Sequence, residues 1–409
     1  MLKKSHSGIH NHLDYFIYIC LCFYLVIDSM TGYFLMTGGP SVSVIYKPFI
    51  LLLMILSVSS KNVSVISFVA FTFMLMFVVF FTHIVSQNNW SMDSLSMPLQ
   101  LIMNQVYFIY FYLFFRFTGK IEGYVTNKFL KINIFIFIFN IIIGIFGFGF
   151  YTYPQARLGI KGFFYAGNQV SVLFLCLYYI VLSRMTYKKW GIVIVYVTAF
   201  IISILIMTRV AVIACVFLTC VDYYLRSFKR KKFYVKLFFP IIVIVLGVFI
   251  FNFLPETQFY QHAEYNIMRN MARGQTLIEA ISSGRIEHLR DNIEMWQLHS
   301  SPSVIMFGLG PTVLPRGVEI DLFDTFFYLG ALFTVLVLSY YLALTYLSIR
   351  IRNIRLFLFN LFYLATSLAA GHVWFSVMAG LFYAFINAYE LSLYYSRKGY
   401  NGKKALVNQ

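Results

Sequence analysis

Nine side chains in this sequence have the chemistry to grip a phosphate and move a proton. Arg157, Lys161, Arg209, Arg273, Arg285 and Arg290 supply cations; Glu319, Asp321 and His372 supply groups that take up and release protons. Arginine holds phosphate oxygens in a forked, charge-assisted geometry. A carboxylate or an imidazole within reach of a hydroxyl can accept its proton. Together they suit transfer of a group away from a phosphate or pyrophosphate, a leaving group good enough to need no metal. The polar stretch Leu254 to Asp321 concentrates this chemistry, with five arginines, eight of the fifteen carboxylates and three of the eight histidines. The Gly-x-Ser-x-Gly, Walker and dinucleotide-binding patterns are absent.

These residues are spread from position 157 to position 372, so the elements that carry them must bring them together. The chain is 60% hydrophobic, 20% aromatic and only 11% charged. No soluble core hides that much apolar surface, whereas a bilayer does. The expected class is all-α, a polytopic membrane protein forming one integral domain over residues 1–409. Its apolar runs are continuous and have the length of about 20 residues that a crossing helix needs. Twelve spans are expected: 14–37, 42–60, 64–85, 98–117, 131–151, 163–183, 190–206, 210–226, 237–254, 322–347, 355–370 and 373–394. Residues 190–226 are too long for one crossing, so a turn is expected near Met207–Arg209. Lys3 and Lys4 before the first apolar run, with no small-residue cleavage site after it, predict a retained first span.

Alternate crossings sort the charges. Of the 32 basic residues, 23 fall on one side, including the cluster Arg226, Lys229, Arg230, Lys231, Lys232 and Lys236. The positive-inside rule then predicts both termini in the cytoplasm and a large outer loop over 255–321. The net charge of +17 is thereby chiefly a topology signal, compatible with anionic lipid headgroups. Basic residues scattered among loops argue against nucleic acid as a partner. All five cysteines fall in expected spans, so neither a disulfide nor a metal-ligand spacing is expected in the outer loop.

The same alternation predicts that the nine side chains share the outer face. Arg157 and Lys161 lie between spans five and six, Arg209 at the turn between seven and eight, and Arg273, Arg285 and Arg290 in the large loop. Glu319 and Asp321, with Asp324, precede span ten, and His372 lies between spans eleven and twelve. Residues 285–299 predict an amphipathic helix, with Ile286, Leu289, Ile293 and Trp296 on one face and Arg285, His288, Asn292 and His299 on the other. Gly308-Leu309-Gly310 predicts a flexible turn. Plainer roles fit several positions: Asp321 or Asp324 as a helix N-cap, Arg209 as a snorkelling cation, and Asp28, Lys47 and His83 as packing partners.

The chain resembles the O-antigen polymerase (Wzy-type) group within the O-antigen polymerase/ligase superfamily. The matching pieces are Arg157-Leu-Gly-Ile-Lys-Gly-Phe-Phe-Tyr-Ala-Gly-Asn168, Thr208-Arg209-Val-Ala, Ser283-Gly-Arg285 followed by Trp296 and Gly308-Leu-Gly310, Glu319-Ile-Asp321 with Asp324 and Gly330, and Gly371-His372-Val. The resemblance implies a GT-C-like, metal-independent glycosyltransferase in the bacterial inner membrane, with no cofactor. It would join repeat units carried on undecaprenyl pyrophosphate at the periplasmic face, with a chain-length regulator as a protein partner. It further implies that Arg157 and Lys161 of one periplasmic loop, and Arg285 with Arg273 or Arg290 of another, bind the pyrophosphate. Where the ligase branch carries a histidine before span ten, this chain carries Glu319, Asp321 and Asp324, which favours polymerase over ligase. A flippase or exporter of the same lipid-linked sugars is the other reading of a twelve-span chain.

Overall fold

The computed structural model describes residues 6–61, 63–87, 92–118, 124–154, 157–184, 189–229, 285–314 and 316–407, with 265, 268, 271, 272, 274, 276 and 279. These form a helical bundle, and apolar side chains remain outward along much of it, as at Ile45, Phe77, Phe135 and Val335. Lipid accepts such a surface, and helices satisfy their own backbone groups there.

The chain opens with α1 (His6–Cys22), α2 (Tyr24–Met36), α3 (Ser43–Ser59), α4 (Val63–Gln87), α5 (Met92–Thr118) and α6 (Tyr124–Ile145). Then come β1 (Phe150–Tyr153) and β2 (Leu158–Gly162), followed by α7 (Gly167–Arg184), α8 (Lys189–Ile206) and α9 (Arg209–Lys229). After the polar stretch come α10 (Arg285–Leu298), α11 (Pro302–Phe307), α12 (Asp321–Arg350), α13 (Ile354–Ala370) and α14 (Val377–Val407). Among the described residues, four helical segments are long and apolar enough to cross a membrane: Ile66–Val85, Ser94–Arg116, Thr126–Ile145 and Asp321–Arg350. The pair α1–α2, bent by 42°, makes a fifth if counted as one span. Ser43–Ser59, Gly191–Ile206 and Ile354–Ala369 are apolar but shorter. The expected span 237–254 lies outside the described residues.

Two expectations about the backbone change. The segment after α6 is an antiparallel β-hairpin, pairing Tyr151 with Ile160 and Tyr153 with Leu158. It departs from an all-α description because helix α6 stops at Ile145, short of the expected 151, and the glycine-rich segment behind it cannot sustain a helix. Helix α12 is broken at Gly330, whose φ is 78°. The break frees carbonyls one turn back, and the Gly308–Gly310 segment takes them: Leu309 N–H donates to Phe327 O at 2.8 Å and Gly310 N–H to Tyr328 O at 3.1 Å. That segment is therefore a bonded, buried insert and not the free turn its glycines suggest. The expected turn at 207–209 is present, with Met207 at φ 61° and α9 starting at Arg209.

Helix α14 is the axis of the bundle. Nearly every side chain from Val377 to Leu391 is buried, and its broadest contact is with α5. Gly380 allows this approach, since a Cβ there would collide with the Asn104 amide of α5. Asn104 in turn donates to the Trp374 carbonyl at 2.7 Å. The contact fixes the turn that leads into α14, and with it one wall of the site.

Candidate functional site

A cavity of about 460 Å³ opens where several helix ends meet. Helix α5 contributes Ser96, Met97 and Gln100, and α7 contributes Gln169 near its start. His288 of α10 and Arg316, Gly317 and Glu319 of the segment before α12 form another wall. Asp324 and Tyr328 of α12 and the His372–Phe375 turn complete it. Residues far apart in the chain share this space because α12 begins, α13 ends and α7 begins at the same end of the bundle.

Two turns with unusual backbones carry the central pair. Glu319 has φ 60° and His372 has φ 58°, left-handed conformations that side-chain-bearing residues seldom adopt. Packing holds both. Gly371 closes α13 so tightly against the Glu319 backbone that a Cβ would overlap the Glu319 carbonyl. Asp321 clamps the other side of the His372 turn: its Oδ2 accepts N–H bonds from Val373 at 2.8 Å and Trp374 at 3.0 Å. Such strain, imposed by surrounding structure, gathers at functional sites.

Arg285 reaches the same place from α10. Its Nη2 lies 3.3 Å from Glu319 Oε2, and its Nη1 donates to the Ala369 carbonyl in the last turn of α13. Asn292 anchors α10 by donating to the Arg316 carbonyl at 2.8 Å. The expected face division holds in part: Leu289 and Trp296 pack against the core. Asn292 of the polar face is buried, while Ile293 of the apolar face is exposed. Arg285 and Asn292 find polar partners in Glu319 and the Arg316 carbonyl, and His288 between them lines the cavity.

His372 is exposed at the rim, yet its pKa is lowered. Desolvation by the surrounding chain is the main cause; Glu319 pulls the value back up and Arg285 pushes it further down. The imidazole is thus neutral at neutral pH and able to accept a proton.

Not every expected residue converges. Glu319 and His372 line the cavity, and Arg285 contacts Glu319. Asp321 does not line it: the carboxylate is fully buried and orients the His372 turn. It is not the N-cap either, since Ile320 holds that position without a side-chain cap. Asp324 also caps nothing; its Oδ1 accepts the Val318 N–H at 2.6 Å. Lys161 is turned into its own hairpin, where it donates to the Tyr165 carbonyl and burial lowers its pKa. Arg157 is exposed at the hairpin turn with φ 51° and does not line the cavity. Arg209 is exposed at the start of α9. Its field reaches Tyr153 of β1, as does that of Arg285, and both oppose the rise in the Tyr153 pKa that burial causes. Arg290 points away and pairs with Glu279 at 2.8 Å. Arg273 lies outside the described residues.

Sequence reasoning passed over Arg316, Gln100 and Gln169. The two glutamines had a signal, being amides set in otherwise apolar spans, where polar groups are costly and tend to be functional. Arg316 had none beyond its place among the loop arginines. Asp28, Lys47 and His83 are packing partners as expected: Lys47 pairs with Asp28 at 2.6 Å, and His83 Nε2 lies 2.9 Å from Phe307 O. Searches among family models, curated proteins and solved structures find no match to this chain.

Proposed function

We propose that this chain is a membrane glycosyltransferase that polymerises lipid-pyrophosphate-linked oligosaccharide repeat units, as in O-antigen or a related surface polysaccharide. The observation that carries the reading is one cavity at the helix ends lined by Glu319, the neutral His372 and Arg316, with Arg285 in contact with Glu319 behind it. The guanidinium groups suit the leaving pyrophosphate, whose charge grows as its bond to the anomeric carbon breaks; stabilisation of developing charge is often the largest catalytic term. The acceptor hydroxyl oxygen forms the new bond to that carbon, and its proton passes to Glu319 or His372. In this proposal the chain has about twelve crossings in a GT-C-like arrangement, both termini cytoplasmic, in the bacterial inner membrane. The cavity then faces the periplasm, where undecaprenyl-pyrophosphate-linked glycans act as donor and acceptor. Arg157 and Arg209 belong to the approach to the cavity rather than to its wall.

Replacing Arg285 with Ala tests the assignment. The variant is expected in the membrane at normal level, with long glycan chains lost from a gel of surface polysaccharide. A normal ladder would remove Arg285 from the reaction. A deletion strain separates the rival readings. Loss of a polymerase leaves single-repeat capped lipid on the surface; loss of a flippase leaves none; loss of a ligase leaves polymer on its carrier. Reporter fusions within 255–321 that score as cytoplasmic would overturn the proposed orientation.

A further inference from the structure

His83 sits on α4 within the apolar segment Ile66–Val85 and is fully buried. A polar group at such a place is costly and calls for a role. Its Nε2 lies 2.9 Å from the Phe307 carbonyl, 224 residues further along the chain. A carbonyl only accepts, so Nε2 carries the ring proton and donates it. Phe307 is the last residue of α11.

That carbonyl opens the segment that mends the break in α12. Gly308 follows it, so close to the Tyr328 backbone that a Cβ would overlap it. A Cβ on Gly330, at the break itself, would overlap the Met306 carbonyl. Leu309 and Gly310 then donate to the Phe327 and Tyr328 carbonyls. A helix interrupted at one residue loses the ladder bonds that keep its two parts in line. The direction of the first part, Asp321–Leu329, is therefore set by what fills the gap. That part shapes the cavity in two ways. Asp324 and Tyr328 line it, and Asp321 clamps the His372 turn through the Val373 and Trp374 N–H groups. None of the described residues of α4 lines the cavity, so His83 reaches it only through this chain of contacts.

We infer that His83 is a positioning residue: by donating to the Phe307 carbonyl it seats the 308–310 segment in the break of α12, and so fixes the direction of Asp321–Leu329 and the place of the His372 turn. Its part in catalysis rests on the glycosyltransferase reading; its part in holding the turn does not.

Three variants of the full chain in lipid nanodiscs test this. His83→Gln places an amide N–H where Nε2 stood. His83→Asn is one methylene too short to reach, and His83→Leu keeps bulk without a donor. Deuterium exchange of the Leu309 and Gly310 amides and the ¹⁵N resonance of the His372 ring are read in each. Turnover is measured with a repeat unit on undecaprenyl pyrophosphate, extracted from a strain lacking this chain. In the Asn and Leu variants the two amides should exchange faster and the His372 resonance should move. Their kcat should fall about 10²-fold with KM little changed, the cost of misplacing a reacting group by about 1 Å. The Gln variant should return all three readings toward those of the unaltered chain. A residue that only stabilised the bundle would lower the melting temperature and leave kcat alone. Gln as impaired as Leu overturns the inference, because the donated bond is then not the cause. An unmoved His372 resonance in Asn and Leu overturns it too, as does an unchanged kcat in a chain that turns over. If the Leu variant does not reach the membrane, Gln against Asn decides on the same terms. Exchange and resonance that behave as expected, with no turnover by the unaltered chain, uphold the seating of 308–310 and count against the glycosyltransferase reading alone.

Discussion

Buried carboxylates lie at both ends of the bundle, and the two ends treat them differently. Away from the cavity, Asp222 sits 2.7 Å from Arg226 Nε and 2.6 Å from Arg355 Nη2, and accepts the Tyr196 hydroxyl at 2.8 Å. Asp14 is held likewise by Lys61 at 2.7 Å and by Ser57 at 2.6 Å. At the cavity end, Asp321 and Asp324 are as deeply buried, but backbone N–H groups hold them. The separation is about 25 Å, the rise of the 17-residue α13 that runs from Arg355 to the His372 turn. Charges buried with their counter-charges fasten helices together: Arg226 and Arg355 both donate to the Leu182 carbonyl and so join α7, α9 and α13. Carboxylates fixed by backbone amides make no ion pair with Arg316, which lines the cavity, while Arg285 pairs with Glu319 at its edge. Places where a protein departs from its most stable arrangement are where function is expected.

The comparison can be broken in four ways, taken in order of effect. On the proposed reading, Glu319→Gln should lower polymerisation about 10²–10⁴-fold, the range for a general acid or base. Its effect on stability should stay below about 1 kcal/mol, because the Arg285 pair is partly exposed. Glycan chain length set beside a detergent melting curve reads both; an equal fall in each would make Glu319 a fastener. Asp222→Ala should do the reverse, costing about 3–5 kcal/mol by stranding Arg226 and Arg355, with a lowered melting temperature and a depleted membrane fraction. A melting temperature unchanged by this variant would show that the end away from the cavity is not the fastening one.

Asp321→Ala comes next. It leaves the Val373 and Trp374 N–H groups buried without an acceptor, at about 1–3 kcal/mol. Asp321→Asn retains an oxygen for both and should restore most of that stability and the activity with it. A failure of Asn to rescue would mean that the charge of Asp321 matters, and not only its oxygen.

The smallest effect is that of pH on His372. Its folded pKa is below the ordinary value near 6.5. The unfolded chain therefore binds the proton more readily. The stability that the neutral ring contributes is present above about pH 6.5 and is lost as pH falls through the window beneath. An NMR titration should place the midpoint below 6.5 and move it upward in Arg285→Ala, since Arg285 depresses it, and downward in Glu319→Gln. Shifts in the opposite directions would contradict the geometry of the three groups.

Much of the helix order was legible because apolar runs of span length admit few other structures. The break at Met207–Arg209 followed from the length of 190–226 alone. Glu319 and His372 were reachable from polarity at expected span ends, and Arg285 from the helical pattern within the polar stretch. The β-hairpin was not, since 150–162 lacks a long alternating pattern and its pairing is set by how it packs on α6 and α8. The burial of Asn292 on the polar face of α10 has the same origin: the Arg316 carbonyl waits for it, a partner 24 residues away. Lys161 and Arg290 have the charge for an anion site, but charge says nothing of direction, and local partners claim both.

What the residues determined by themselves is the class of molecule, a helical bundle with an apolar exterior and its polar chemistry confined to helix ends, because composition and run length act without reference to distant contacts. Which of those polar groups meet was decided only by tertiary packing. Gly371 against Glu319, Asp321 against the His372 turn and Arg285 across to α13 are contacts between elements far apart in the chain. A hydrogen bond or a close approach depends on ångström-scale placement, which one-dimensional order does not carry.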